Sequence, residues 1–200
     1  MRYRSLTRTT APAVEPVTLA DAKAHCRVDT STDDAYIGTL ITAAREWVEE
    51  YADRALVHQQ YVMRLDSFPY EFELPRPPMA TSGTTTAVAV TYTLGDDSTA
   101  TLSATQYRVD RNATPGVVRQ LRAGTWPGNL DDQNAVTVTW WAGYGASGTS
   151  VPAAIRHAIL MLVAHWYESR QAAVATGAVP QDVPYGVKSL LDSQRWGSYQ

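Results

Sequence analysis

The stretch VPAAIRHAILMLVAHWYESR, residues 151–170, predicts a long helix whose apolar side chains surround most of its circumference. Pro152 suits the first helical turn, where its missing N–H leaves no hydrogen bond unmade. One stripe at helical spacing indicates an ordinary core-facing side, and it consists of Ile155, Ile159, Leu162, Val163 and Trp166. A second apolar set lies outside that stripe and needs cover from another element: Ala158, Leu160, Met161, Ala164 and Tyr167. In a soluble protein such a helix is either central in its own domain or shared with a neighbouring subunit.

Composition and charge argue against several classes of protein. The uninterrupted apolar run within 151–170 is only seven residues long, far short of the roughly twenty that a membrane-spanning helix needs. A net charge of −3 and a pI near 5.8 argue against tight electrostatic binding of nucleic acid, which needs a clustered basic surface. Cys26 is the single cysteine, so no disulfide can form within the chain. Residues 1–16 contain arginines but no apolar segment, so we expect a flexible arm rather than a secretory signal, and a cytoplasmic protein.

Three regimes of sequence follow one another and predict an α+β fold. Residues 17–55 and 150–192 have helical patterns, with Thr18 as the expected N-cap of LADAKAHC and a second helix over 34–51. Residues 56–149 alternate apolar and polar positions between frequent Pro and Gly, which is typical of about six short strands, with 74–78 as an edge or a connector. We therefore expect a helical core with an inserted, sandwich-like antiparallel β lobe, followed by a C-terminal tail over 193–200.

The motifs that usually carry chemistry are weak in this chain. Residues 143–148, GYGASG, match the G-x-G-x-x-G dinucleotide pattern, but three residues separate the last glycine from Pro152, whereas the pattern needs its glycines at the start of the helix. His25 and Cys26 are adjacent and so face different directions on a helix. His157 and His165 lie about two turns apart, too far to share a metal ion unless a third element supplies ligands. We therefore predict no catalytic residue, no cofactor, no metal site and no enzymatic activity.

The order of several short segments resembles the head-tail connector proteins, also called adaptor or head-completion proteins, of long-tailed double-stranded DNA bacteriophages. The N-terminal half carries PVTLADAK at 16–23, RVD at 27–29, DD at 33–34 and AAREWVE at 43–49. The later landmarks are LPRPP at 74–78, YRVD at 107–110, NAVTV at 134–138, AGYG at 142–145, VPAAI at 151–155, AHWYE at 164–168 and PYGV at 184–187. The likeness spans 16–196, and its specificity lies in the order and spacing of the pieces.

This resemblance implies a structural role in the neck of a virion. Members of the family form a ring, typically dodecameric, beneath the portal of a DNA-filled capsid, where they extend the DNA channel and dock the next neck or tail protein. The implied partners are further copies of the chain, the portal protein, a downstream neck or tail protein, and DNA that passes without sequence-specific binding. Assembly in the bacterial host cytoplasm is implied as well, with no membrane partner. The large β segment sets this chain apart from the smaller, mostly helical members of the family.

A ring of identical subunits needs two different surfaces on each subunit, and the resemblance assigns candidate residues to such roles. The subunit-interface candidates come from the second apolar set of the long helix and are Leu160, Met161, Ala164 and Tyr167. The candidates for docking to the portal are Arg195, Trp196 and Tyr199 in the tail. The channel-facing candidates are Glu46, Glu49 and Glu50, which would repel DNA phosphates. The alternative is that this face of the second helix, which includes Arg45, is an ordinary solvated surface.

Three other functions stay open from the sequence. A stopper or a tail terminator would be distinguished by whether the chain binds the portal or the tail tube. A DNA-binding regulator would use 18–51 as a helix-turn-helix, but Glu46, Glu49 and Glu50 give the second helix the wrong charge for that role. An enzyme of another kind would need a deep pocket with convergent polar groups, a feature that only a structure displays.

Overall fold

The computed structural model describes residues 3–81, 87–169 and 184–195. By its internal contacts the chain divides into two compact units. The β unit consists of Met1–Ala13 and His58–Ala146, and the helical unit consists of Val14–Val57 and Ser147–Gln200. Because helices and antiparallel sheets occur in separate parts of the chain, the predicted α+β class is confirmed.

The helical unit contains, within the described ranges, four α-helices and one 3₁₀ turn. The helices are α1 Leu19–Cys26, α2 Asp34–Ala52, α3 Ala153–Glu168 and α4 Tyr185–Asp192, and the 3₁₀ turn is Gly148–Ser150. α3 packs against each of the other three helices. Its fully buried residues are Ile155, Ala158, Ile159, Leu162 and Val163. A central place within its own unit therefore accounts for much of the apolar circumference of α3.

Local signals in the sequence explain where the first two helices begin and end. The Thr18 hydroxyl accepts a hydrogen bond from the Asp21 N–H, and the Asp21 carboxylate accepts one from the Thr18 N–H, both at 3.1 Å. This capping box satisfies amide groups that have no partner in a first helical turn. Arg27 and Asp53 follow α1 and α2 in the left-handed conformation, with φ of 56° and 52°, a common way to end a helix. α1 therefore has the bounds that the segment LADAKAHC predicts.

The β unit holds a five-stranded and a three-stranded sheet, and every strand pair in both is antiparallel. The five-stranded sheet has the order β1 Ser5–Thr10, β2 Gln59–Leu65, β8 Val136–Ala142, β4 Ala89–Thr93 and β5 Thr99–Thr101. The three-stranded sheet has the order β3 Glu71–Leu74, β7 Gly116–Gln120 and β6 Tyr107–Asp110. β2 pairs with β8 along its whole length, and alternate residues of both strands are buried. This burial is the pattern that period-two alternation predicts for a strand with one covered face.

The three-stranded sheet also has one covered face and one exposed face. Phe72, Leu74 and Val118 are buried on one side, and the Tyr107 hydroxyl donates a hydrogen bond to the carbonyl of Val88 at 2.8 Å. β3 lies at an edge of this sheet, directly before the prolines of 74–78. The position agrees with the prediction for that segment, because proline cannot donate the hydrogen bonds that a central strand needs.

The expected flexible arm over residues 1–16 is wrong for its central part. Ser5–Thr10 form β1, which pairs with β2 from Ser5 opposite Arg64 to Thr10 opposite Gln60. Four of its six residues are exposed, so the segment shows no apolar alternation by which a strand could be recognised. Main-chain hydrogen bonds to the edge of β2 hold it in place instead.

Two further differences concern details of the sequence predictions. The described ranges contain eight strands, where about six are predicted for 56–149. β1 lies before that range and does not alternate, whereas the short segment EFEL of β3 does alternate and is buried at every second residue. Pro152 is the N-cap residue of α3 rather than part of its first turn. Within the described ranges, no helix combines the length and the apolar character needed to cross a membrane.

Candidate functional site

The four residues predicted to form a subunit interface lie half-buried along α3, and they are Leu160, Met161, Ala164 and Tyr167. The Tyr167 hydroxyl donates a hydrogen bond to the Asp33 carboxylate at 2.6 Å, and its ring centroid lies 6.2 Å from that of Tyr36. Met161 lies beside α4, since a Cβ added to Gly186 would be 3.4 Å from its methyl carbon. Two of the four residues therefore contact other helices of their own unit, and the subunit interface itself stays a prediction.

A buried ion cluster occupies part of the α2 face that the sequence pattern predicts to be solvated. The side chains of Arg45 and Glu49 are 4% and 6% exposed. Arg45 Nη1 donates to Glu49 Oε2 at 3.0 Å, and Arg45 Nε donates to Glu15 Oε2 at 2.8 Å. Burial lowers the pKa of Arg45, but the carboxylates of Glu49 and Glu15 outweigh burial and raise the pKa overall. The prediction of a solvated surface is wrong for Arg45 and Glu49.

Glu49 also holds the chain that follows α2. Its second carboxylate oxygen, Oε1, accepts a hydrogen bond from the Leu56 N–H at 3.0 Å, and Leu56 is itself fully buried. A carboxylate that is covered and has both oxygens engaged cannot face a channel, so that prediction is wrong for Glu49. The physical reason is a set of contacts from outside the helix: Glu15, thirty residues before Arg45, pairs with Arg45, and the chain at Leu56 donates to Glu49.

Glu46 and Glu50 differ from Glu49 because both are exposed. The Glu46 side chain is 51% exposed, and its Oε1 lies 3.5 Å from Arg45 Nη2. Since residues four apart share one side of a helix, these two carboxylates give α2 a narrow acidic stripe. They remain candidates for a surface that faces DNA.

Side chains attach the end of α4 to the end of α2. The Tyr51 hydroxyl donates a hydrogen bond to Asp192 Oδ1 at 2.7 Å, and Arg54 Nε donates one to the carbonyl of Gln194. The bond to Asp192 raises the pKa of Tyr51, because the phenol must stay protonated to donate it. The guanidinium of Arg195 lies over the Tyr51 ring, 5.4 Å from its centroid, within the range of a cation–π contact.

Arg195, predicted to dock the portal, thus contacts its own helical unit. Trp196 and Tyr199, the other two docking candidates, lie outside the described residues. On α4 itself, Tyr185 is 85% exposed. Tyr185 is the first residue of α4, so this exposed aromatic side chain lies at the opposite end of the helix from Arg195.

The histidines and the cysteine form no reactive arrangement among the described residues. No group of three or more His, Cys, Asp or Glu side chains in those ranges could hold a metal ion. The rings of His25 and His157 make an edge contact with centroids 5.9 Å apart. Burial, with a smaller effect of the charge on Glu168, raises the pKa of the Cys26 thiol. A raised pKa disfavours the thiolate that a cysteine nucleophile needs.

The glycine pattern at 143–148 has a packing explanation. The 3₁₀ turn Gly148–Ser150, followed by Val151, separates the pattern from α3, so its glycines do not lie at the N-terminus of that helix. A Cβ on Gly148 would lie 2.4 Å from the carbonyl oxygen of Glu15, closer than two such atoms can approach. This position therefore accepts only glycine without a local shift of the backbone.

An arginine groove on the exposed face of the three-stranded sheet was missed by the sequence analysis. The groove has a volume of about 850 Å³, and four of its lining residues are Arg108, Arg111, Arg119 and Arg122. All four are exposed, and Tyr70, also in the lining, is 67% exposed. The sequence feature that could have indicated the groove is the alternation in β6 and β7, which places Arg108 and Arg119 on the exposed face of their strands.

The strand register brings these arginines together. Arg108 lies directly opposite Arg119 across β6 and β7, and Glu71 lies opposite Arg119 on the other side. Arg119 Nη2 is 2.6 Å from Glu71 Oε2, and this hydrogen-bonded carboxylate raises the pKa of Arg119. No salt bridge joins Arg108 or Arg122 to another residue in the described ranges. The groove therefore carries more positive charge than its own sheet neutralises.

Comparison with known proteins gives one family match and several structural matches. Residues 16–77 match the family of phage gp6-like head-tail connector proteins. A chain from the structure "Neck of empty GTA particle computed with C6 symmetry" has a TM-score of 0.75 and 23% identity, with 96% of this chain and 95% of that chain covered. No curated protein matches the chain.

Two further structures share the fold. A chain from "Virion of native gene transfer agent (GTA) particle" has a TM-score of 0.74 at 23% identity, with 95% and 94% of the two chains covered. A chain from "Neck of native GTA particle computed with C12 symmetry" has a TM-score of 0.70 at 22% identity, with 96% and 94% covered. At these identities the likeness shows a shared fold over nearly the whole chain. Together with the family match over 16–77, it confirms the resemblance to phage head-tail connector proteins.

Proposed function

We propose that the protein is a structural component of the neck of a phage-like particle, a head-tail connector. It forms a ring under the portal, extends the DNA channel and docks the next neck or tail component. The observation that carries this proposal is the match of 16–77 to the connector family within a fold shared over 96% of the chain with a neck chain of a GTA particle. The protein is assembled in the host cytoplasm and ends in the neck of the virion.

The number of subunits in the ring is proposed as twelve. The related necks were computed with C6 and C12 symmetry, and both are compatible with twelve copies around one axis. In such a ring every subunit offers one surface to one neighbour and a different surface to the other. The half-buried side of α3, with Leu160, Met161, Ala164 and Tyr167, is one candidate for these surfaces.

Two other parts of the helical unit have proposed roles in the ring. The exposed carboxylates of Glu46 and Glu50 face the channel and repel the phosphates of the passing duplex, which keeps DNA from binding to the wall. Residues 196–200, with Trp196 and Tyr199, dock to the portal. Arg195, the residue directly before this segment, contacts the Tyr51 ring at the end of α2.

The proposal is tested by light scattering on the protein, alone and mixed with the portal assembly of the same particle. We expect either a ring of defined mass or a smaller form that joins the portal complex. Deleting residues 196–200 should abolish binding to the portal, whereas Tyr185→Ala, on the exposed side of α4, should leave it intact. Binding to a tail tube but not to the portal would instead identify a stopper or a tail terminator and contradict the connector role.

A further inference from the structure

The arginine groove has unused capacity for an anion. Like charges directly opposite one another in a sheet are destabilising, and Arg108 and Arg119 are such a pair. Two carboxylates offset part of this charge: Glu71 pairs with Arg119, and Asp110, which also accepts hydrogen bonds from the backbone N–H groups of Asn112 at 3.0 Å and Ala113 at 3.3 Å, acts on Arg119 from within the groove. Among the described residues, neither forms a salt bridge with Arg108 or Arg122. An anionic occupant would relieve the repulsion that the groove itself leaves in place.

The choice of basic residue indicates what kind of anion fits. The chain has lysine only at Lys23 and Lys188, both in the helical unit, so every basic residue of the groove is arginine. The planar guanidinium group donates two parallel hydrogen bonds to a carboxylate or a phosphate, and it loses less hydration than an ammonium group does. The groove is therefore suited to a carboxylate or a phosphate group held in a fixed orientation.

The same β unit carries a surface of opposite sign, which we name the acidic tip and which consists of Asp96, Asp97, Asp131 and Asp132. The turn between β4 and β5 lies beside the segment before β8, because the Gly95 N–H donates to the Asn129 carbonyl at 3.0 Å and the Asp131 N–H donates to the Thr93 carbonyl at 3.1 Å. Asp96, Asp97 and Asp132 are exposed, and Asp131 is half-buried. The acidic tip belongs to the end of the five-stranded sheet, whereas the arginine groove is on the three-stranded sheet.

We propose that the arginine groove of one subunit binds the acidic tip of the neighbouring subunit. The inference rests on the ring of the proposed function, in which one repeated contact joins two different surfaces of the same chain. A basic groove and an acidic tip on each β unit supply such a pair of surfaces. The acidic tip of each subunit then neutralises the positive charge of its neighbour's groove. Because groove and tip differ, all subunits must face the same way around the ring.

DNA phosphate is the other anion to consider, and the observations favour the neighbouring subunit. The groove is limited in size, with a volume of about 850 Å³. A DNA duplex instead needs an extended basic surface along its backbone. The whole chain has a net charge of −3, which opposes general affinity for DNA. An acidic tip on every copy also provides one partner for each groove.

The test uses charge reversal in cells that produce the particles, with the full-length chain as the only source of the protein. The groove variant is Arg108→Glu with Arg122→Glu, and the tip variant is Asp131→Arg with Asp132→Arg. Each variant alone brings like charges together and should reduce the yield of particles with a complete neck by at least about tenfold. Co-expression of the two variants should restore the yield, because an alternating ring pairs acidic tips with basic grooves and basic tips with acidic grooves.

The controls separate assembly from folding. Arg64→Glu reverses one charge at an exposed arginine of β2, half of the change made in the groove variant, and should assemble as the wild type does. Purified groove and tip variants should not melt below the wild type, because all four substitutions are outside the buried core and Arg108→Glu places a carboxylate opposite Arg119.

Each outcome decides between the two proposals. Normal assembly of either variant, or no restoration on co-expression, would overturn the pairing of groove and tip. Loss of assembly with the groove variant but not with the tip variant would show that the groove binds another anion, DNA included, and would also overturn it. Absence of the wild-type chain from the neck would overturn the connector function itself, so the two failures are distinguishable.

Discussion

Two arginine–glutamate pairs, one in each unit, have similar contact distances and opposite surroundings. In the helical unit Arg45 and Glu49 are 3.0 Å apart with side chains 4% and 6% exposed. In the β unit Arg119 and Glu71 are 2.6 Å apart with side chains 59% and 50% exposed. The shorter contact is not the stronger one, because water and salt screen an exposed pair, whereas a buried charge that loses its partner has nothing to replace it. Burial rather than distance therefore decides which arginine serves folding and which is available to a partner.

The largest expected effect comes from breaking the buried pair. Glu49→Ala leaves Arg45 with one fewer carboxylate and removes the acceptor of the Leu56 N–H, so we expect a loss of about 3–5 kcal/mol in the free energy of unfolding. Urea denaturation of the purified chain measures it. Glu46→Ala, an exposed position on the same helix, is the matched control, with an expected change within about 0.5 kcal/mol. Equal losses for the two variants would contradict the role of burial.

An intermediate effect is expected at an exposed contact with fixed geometry. Thr18→Ala removes the N-cap hydrogen bond of α1 and should cost about 1 kcal/mol. The hydrogen bonds from Thr18 lower the pKa of Asp21, so in the wild type their contribution is present at neutral pH and is lost as pH falls through the depressed pKa of that carboxylate. Stability measured by denaturation below about pH 4 should therefore fall less steeply for Thr18→Ala than for the wild type.

Breaking the exposed pair should have a smaller effect. Arg119→Ala removes the guanidinium from Glu71 and should change the free energy of unfolding much less than Glu49→Ala does, because solvent screens the exposed pair. Thermal or urea unfolding gives the value. A loss as large as that of Glu49→Ala would mean that the exposed face of the three-stranded sheet is covered in the folded protein.

Salt should have the smallest of the four effects, and it should separate the stability change caused by breaking the exposed pair from that caused by breaking the buried pair. At about 1 M salt the screening length is about 3 Å, so the stability difference between Arg119→Ala and wild type should shrink towards zero. The difference caused by Glu49→Ala should persist, because ions do not reach a buried pair. Parallel denaturation series at low and high salt would show whether the two differences separate in this way.

The sequence predicts most of the helical unit because its signals are local. The cap at Thr18 and the periodicity of α2 and α3 involve residues within a few turns of one another, so α1 is placed to the residue. The burial of Arg45 and Glu49 could not be predicted in the same way, because Glu15, which pairs with Arg45, and Leu56, which donates to Glu49, both lie outside the helix. Apart from the spacing of four between an arginine and a glutamate, nothing on α2 marks the buried pair.

The β unit shows a different limit of sequence reasoning. Alternation located β2 and β8, whose inward residues are apolar, but not β1, whose residues are mostly exposed and polar. The arginine groove was missed for a related reason: Arg108 and Arg119 are eleven residues apart and meet only through the strand register. Polar pairs across strands become visible only once the partners of each strand are known.

The position of β1 has a consequence for how the chain can be cut into fragments. The β unit is made of two segments, and its outermost strand comes from residues that precede the first helix. A fragment cut at 58–146 would leave the edge of β2 bare, with a row of main-chain hydrogen-bonding groups open to any other strand. Such a fragment would self-associate or aggregate, whereas one in which Met1–Ala13 is joined by a linker to either end would keep its polar border and stay soluble.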